Sequence, residues 1–306
     1  MPWYLIVIIV VSSLLGLLLL LYVAVSIYFV VFMSYPKRLT NEEGYKTDFD
    51  KGLFDGIEDM AREPITLTMS DGYKISADIS THPNCNKWII SAHGYSWVRE
   101  GNLKYTIPFF HLGYNILMYD ERSHGKNIHK DCTMGHKEAH DLHEIILWLR
   151  KTYGEDIHIG THGESMGGAT VLIETRYKDK LDFIIDDCGY GDMRRLCENQ
   201  LDNFHVPHFI LPFCNILLKI FHGYSFKDTT ATNFLKENET PLLVMHGKDD
   251  DFVLPYHADL IYKAQKGYKE IYYWPNSKHA ESIIKNKDDY MKAVISFLDK
   301  IYKEEK

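Results

Sequence analysis

The stretch Ile157-His158-Ile159-Gly160-Thr161-His162-Gly163-Glu164-Ser165-Met166-Gly167-Gly168 decides the fold. A short run over 157–160 is expected to be a strand. A glycine-rich turn follows, and an apolar segment over 170–177 is expected to be a helix. G-x-S-x-G in a strand–turn–helix setting presents a serine hydroxyl at the end of a strand. The flanking glycines permit the tight turn. The helix N-terminus favours negative charge developing beside Ser165. A five-residue pattern with two free positions recurs by chance, and the bland alternative is a plain glycine-rich connection; the flanking elements give the motif its weight. Phosphate-loop readings fail, because neither a Gly-Lys-Ser/Thr ending nor G-x-G-x-x-G occurs here.

Working outward, strands and helices alternate. Runs at 65–69 and 73–80 flank Ser70-Asp71-Gly72, a hairpin turn signal. Further strands are expected at 88–92, 115–119, 183–185, 241–245 and 270–274, with helices at 136–153 and 288–302. Such alternation implies an α/β fold, a mainly parallel sheet with helices on both faces. Ligands bind such sheets at the carboxyl ends of the strands. Residues 190–238 break the alternation with a proline-interrupted apolar stretch, Phe204-His205-Val206-Pro207-His208-Phe209-Ile210-Leu211-Pro212-Phe213. This insertion is expected to form a small helical cap over the strand ends.

A serine hydroxyl needs a base, and the base needs a group that fixes its tautomer. A nucleophile on this kind of turn is followed along the chain by the acid and then the histidine. His279 is the expected base, in a loop between the last strand and the final helix. His93 and His246 each precede a glycine at a strand end and read as turn residues. His136, His140 and His143 share one helix face. A metal site there lacks an apparent fourth ligand, so a solvated face is the preferred reading. For the acid, Asp249, Asp250 and Asp251 all follow a strand, with Asp186 and Asp187 as runners-up. Two N–H donors are needed for the oxyanion. Met166, after the nucleophile, supplies one, and Tyr95 in His93-Gly94-Tyr95-Ser96 is assigned the other.

The chain has 306 residues, 45% apolar and 25% charged, with a net charge of −8. Disorder, collagen and small disulfide scaffolds are excluded, and the lack of a basic stripe argues against nucleic-acid binding. The average conceals a split. Of residues 1–33, 28 are apolar, and no charged side chain precedes Lys37. A helix over 3–33 would be about 45 Å long, enough to span a bilayer. A cleaved signal is disfavoured, because the apolar run is about twice the usual length. Residues 1–36 are therefore expected to be a single-pass transmembrane anchor and 37–60 a connecting segment. Lys37, Arg38 and Lys46 favour a cytoplasmic catalytic domain, with the extracytoplasmic arrangement as the alternative. Five scattered cysteines with no C-x-x-C pair read as buried thiols.

Taken together, these strings resemble the α/β-hydrolase superfamily. The matches are His93-Gly94-Tyr95, Asp120-Glu121-Arg122-Ser123-His124-Gly125, 163–167, His246-Gly247-Lys248-Asp249-Asp250-Asp251-Phe252-Val253 and His279-Ala280, in family order. The likeness is strongest to largely uncharacterised bacterial hydrolases with an N-terminal membrane segment. It implies an α/β-hydrolase domain over 61–306 and, from the His-Gly-x-x-Asp-x-x-Val pattern, Asp250 as the acid. Ser123 departs from the glycine usual at that position. The resemblance implies a Ser165–His279–Asp250 triad acting on an ester or acyl substrate, lipid esters included, with no metal or cofactor. The alternatives are a small-peptide serine peptidase or amidase on the same fold, and a non-catalytic ligand-binding member.

Overall fold

A computed structural model describes residues 1–303. Eight strands form one sheet: β1 (Glu63–Thr68), β2 (Lys74–Ser80), β3 (Lys87–Ala92), β4 (Asn115–Tyr119), β5 (His158–Glu164), β6 (Phe183–Asp187), β7 (Leu242–Gly247) and β8 (Lys269–Trp274). Their spatial order is β1-β2-β4-β3-β5-β6-β7-β8. The β1–β2 and β2–β4 pairs are antiparallel, and the rest are parallel. The β1–β2 hairpin turns where expected, with Gly72 at φ 79° and Tyr73 N–H donating to Asp71 at 2.9 Å. The central strand β5 runs four residues beyond the expected 157–160, because Glu164 still pairs in register with Asp187 of β6.

The helices in chain order are α1 (Trp3–Ser34), α2 (Asn41–Phe49), α3 (Leu103–His111), α4 (His136–Tyr153), α5 (Met166–Glu174), α6 (Met193–Asn203), α7 (Leu211–His222), α8 (Thr232–Leu235), α9 (Tyr256–Ala264) and α10 (Ser282–Lys303). A capping box starts α2: Glu43 N–H donates to the Thr40 hydroxyl, while Thr40 N–H donates to the Glu43 carboxylate. The last helix begins six residues earlier than expected. It is kinked at Asn286, whose side-chain amide donates to Ser282 O and the Ser277 hydroxyl. One sheet face packs against α3 and α10, the other against α4, α5 and α9. Between β6 and β7, α6, α7 and α8 occupy the stretch read as an insertion.

The apolar leader is one helix, long and apolar enough to cross a membrane. Its two ends differ. Residues 3–21 are exposed throughout, whereas Ser26, Phe29, Val30, Met33 and Ser34 are buried against the globular part. Tyr22 stacks on Phe209 and Phe213, and the Cys214 thiol donates to Ser26 O. The helix thus passes into the domain before its charged exit at Lys37.

Candidate active site

The sequence builds the site around a strained turn. Ser165 sits at φ 58°, ψ −112°, a conformation that a non-glycine residue adopts only when its surroundings impose it. The turn is pinned by Ser165 N–H donating to Asp187 O at 2.8 Å. No side chain fits on either flank. A Cβ on Gly163 would lie 2.1 Å from Gly167 O, and one on Gly167 would lie 2.2 Å from Ala92 O. Close approach, rather than a left-handed backbone, therefore requires both motif glycines.

The loops after β7 and β8 complete the arrangement. The His279 loop lies directly against the end of β7, where a Cβ on Gly247 would meet Ser277 O at 2.3 Å. His279 Nε2 is 2.8 Å from Ser165 Oγ, and His279 Nδ1 is 2.8 Å from Asp250 Oδ2. Asp250 Oδ1 accepts the backbone N–H groups of Phe252 and Val253, both at 2.9 Å. Burial opposes ionisation of Asp250, but hydrogen bonds from His246 and His279 outweigh it and hold the carboxyl below its ordinary range. His246, read as a turn residue, also lies 3.3 Å from Asp250 Oδ2 and 2.8 Å from Val253 O. It holds the Asp250 side chain as well as lying at the strand end. Asp249 is exposed, and Asp251 pairs with Lys278 at the surface. The runners-up are engaged elsewhere: Asp186 accepts from Gly189 N–H, and Asp187 lies 3.0 Å from the Tyr105 hydroxyl.

Met166 opens α5 directly after Ser165, so its N–H is among those with no partner inside the helix. The end of β3 lies alongside, with the Cβ position of Gly94 3.5 Å from Ser165 Cβ. Tyr95 lines the space beside the serine, and its hydroxyl donates to Phe32 O in α1.

A buried network beneath the serine had no sequence signal. Lys104 of α3 lies 2.6 Å from Glu164, and the Tyr105 hydroxyl donates to the same carboxylate at 2.6 Å. Burial disfavours the Glu164 charge, but Lys104 overrides it and keeps the carboxyl below its ordinary range. Ser123 adopts φ 69°, the left-handed region that accounts for the glycine usual there. Its hydroxyl compensates by donating to Lys130 O at 2.6 Å.

Among the described residues, two clusters bring potential metal-ligand atoms within 4.8 Å of one another: Cys188, Asp250 and His279, and His143, Glu174 and Asp179. Burial pushes the Cys188 thiol well above its ordinary range, away from the thiolate that a metal requires. The three helix histidines take separate partners: His136 meets Arg176, His140 faces Glu144, and His143 bonds Asp179.

Ser165 stands at the junction of two cavities. One is narrow, about 60 Å³, and lined by apolar groups including Met33, Met193, Leu196 and Val253, with no charged side chain. The other is an open cleft of about 420 Å³ containing His279, Lys104, Glu164, Lys51 and Glu281. Tyr95 borders both.

The sheet order, the strained serine turn and the loops behind it define an α/β hydrolase. Residues 103–305 match the model of the prolyl oligopeptidase family, and the chain belongs to that family. It is 31% identical to the uncharacterised Bacillus subtilis protein YqkD over 284 residues, covering 90% of this chain and 93% of that one. An uncharacterised membrane protein of Saccharomyces cerevisiae, YNL320W, is 23% identical, covering 77% and 79%. Among solved structures, the Pyrococcus furiosus esterase Pf2001 superposes with a TM-score of 0.67 at 22% identity, covering 88% of this chain and 98% of that one.

Proposed function

We propose that this chain is a membrane-anchored serine hydrolase that cleaves carboxylic esters through an acyl-enzyme. The observation that carries the reading is the hydrogen-bonded series Ser165–His279–Asp250 at the junction of an apolar and a polar cavity. Ser165 Oγ attacks the acyl carbonyl as His279 Nε2 takes its proton. Asp250 holds the imidazole in the required tautomer. The N–H groups of Met166 and Tyr95 receive the oxyanion. Collapse breaks the ester C–O bond, and His279 returns the proton to the departing alcohol. Water then repeats the sequence and frees the acid.

This mechanism assigns the two sides. The leaving oxygen must lie beside His279, which borders only the polar cleft of the two. The acyl group therefore occupies the apolar cavity. Exposed residues 3–21 of α1 extend about 28 Å at 1.5 Å per residue, close to the bilayer core of about 30 Å. They form the anchor in this reading, and Lys37, Arg38 and Lys46 favour a cytoplasmic domain.

The family match supports a second reading, a small-peptide peptidase. A putative dipeptidyl aminopeptidase IV from Bacteroides ovatus superposes with a TM-score of 0.59 at 16% identity, but only 36% of that chain is covered. The apolar cavity offers no charged side chain for a peptide terminus. The test pairs Ser165→Ala with wild type on a fluorophosphonate probe, p-nitrophenyl esters and a prolyl anilide. Ester turnover and probe labelling that both require Ser165 are expected. Turnover unchanged in Ser165→Ala sinks the proposal, and turnover confined to the anilide selects the peptidase.

A further inference from the structure

We infer that the last turns of α1 are a wall of the active site, with Phe29, Phe32 and Met33 setting acyl-group specificity for a chain drawn from the bilayer. This rests on the serine hydrolase reading above. All three residues line the narrow cavity that ends at Ser165. Phe29 and Met33 are buried. They share the lining with α6, which contributes Met193 and Leu196 and whose Cys197 Sγ lies 3.9 Å from Met33 Sδ. Without α1 the cavity loses that wall and becomes open surface. The leader is therefore part of the catalytic unit as well as a tether.

The same helix marks the route in. A second apolar groove, about 320 Å³, runs between Val25, Tyr28 and the cap residues Leu201, Phe204 and Val206. Phe29 and Phe32 border both spaces, so they separate the outer groove from the inner cavity. The groove begins within a turn of Tyr22, where the unbroken exposed run of α1 ends and one face of the helix becomes buried. With residues 3–21 in the bilayer, its mouth lies at the membrane surface. The cap face beside it continues the apolar surface: Phe204, Phe209, Ile220 and Phe221 are each more than 60% exposed. An aqueous substrate needs no such path. An amphiphilic ester does, with its acyl chain passing along α1 and its polar leaving group remaining in the His279 cleft.

The test uses the full-length chain with two fluorophosphonates, one carrying an ethyl group and one a decyl chain. Phe29→Trp and Met33→Trp, which fill the cavity, are each expected to lower the decyl-to-ethyl ratio of labelling rates at least tenfold. Phe29→Ala and Met33→Ala are expected to change the ratio in a smaller, opposite sense. Leu18→Trp, on the exposed part of the helix, is expected to leave it unaltered. Continued ethyl labelling shows that the variants are folded. Ratios within twofold of wild type in all four pocket variants overturn the inference while leaving the hydrolase reading intact. Failure of both probes on wild type overturns the hydrolase reading, and this inference with it. In phosphatidylcholine vesicles, the decyl probe dissolved in the protein's own bilayer is expected to label faster than the same probe supplied on albumin. Equal or slower labelling overturns supply from the membrane.

Discussion

The Tyr95 hydroxyl donates a hydrogen bond to the carbonyl of Phe32, joining the loop after β3 to the last turn of α1. That carbonyl lacks its usual helical partner, because the residue four positions on is Pro36, which has no N–H. Burial pushes the Tyr95 hydroxyl above its ordinary pKa, so it stays protonated and able to donate. Tyr95→Phe removes the donor and leaves the carbonyl unsatisfied, at about 1–3 kcal/mol. The expected result is a melting temperature lower by a few degrees. Short-chain ester turnover is expected to stay within an order of magnitude, since the proposed oxyanion donor is the backbone N–H. A 100-fold loss would place the phenol itself in the chemistry.

Asp250 offers a sharper chemical test. Its Oδ2 faces His279 Nδ1 at 2.8 Å, while two backbone N–H groups hold Oδ1. An Asp250→Asn amide keeps the shape but presents a donor where an acceptor is required, favouring the wrong tautomer. Turnover is expected to fall by roughly 10³–10⁴-fold in protein that still unfolds cooperatively, at a melting temperature lowered by loss of the carboxylate's bonds to His246 and His279. Asp187→Asn, at the runner-up position, is expected to cost less than tenfold. Reversed magnitudes would move the acid to β6.

The sheet, the serine turn and the histidine loop were legible because each carries a local signal. Gly163 and Gly167 mark a turn where no Cβ fits, and His279 falls between a strand and a helix. The acid was less legible. Asp249, Asp250 and Asp251 are chemically identical neighbours; only the family pattern pointed to Asp250, the one of the three that meets His279 and the N–H groups of Phe252 and Val253. Lys104 had no signal at all, because its partner Glu164 is 60 positions away and meets it only through the sheet. The docked end of α1 was hidden for a different reason. The helix is apolar on every side, so no periodicity marks the face that packs.

Buried carboxyls at the end of β6 make stability depend on pH in an unusual direction. Burial raises Asp186 to about 7 and Asp187 to about 6. Their unfolded values are near 4. Between those limits the folded state holds more protons than the unfolded state. This contribution is present at low pH and is lost as pH rises toward 7. Asp250, held low, acts oppositely, contributing above the unfolded value and losing that contribution only in stronger acid. Buried His93, His124, His162 and His257, all held below the ordinary imidazole range, act in the opposite sense, so the test is a difference between proteins: the melting temperature of Asp186→Asn relative to wild type is expected to rise from pH 5 to pH 7.5. A difference that stays constant would mean that Asp186 is already ionised throughout this range.

Shortening the leader separates an anchor from a wall. A chain beginning at Tyr22 removes the exposed turns of α1 and keeps Phe29, Val30 and Met33. A chain beginning at Lys37 removes those three as well. All three are buried, and burying a side chain of this size is worth about 1.5–3 kcal/mol. Their loss removes several kcal/mol of packing and uncovers apolar surface on α6 and α7. It also strips the bond to Tyr95 and the one from Cys132 N–H to Ser34 O, at 2.7 Å. The chain from Tyr22 is expected to be monodisperse in mild detergent and to keep its preference for long acyl esters. The chain from Lys37 is expected to melt at least 10 °C lower and to lose that preference before it loses acetate hydrolysis. Equal stability and equal chain-length profiles in the two chains would reduce α1 to a tether.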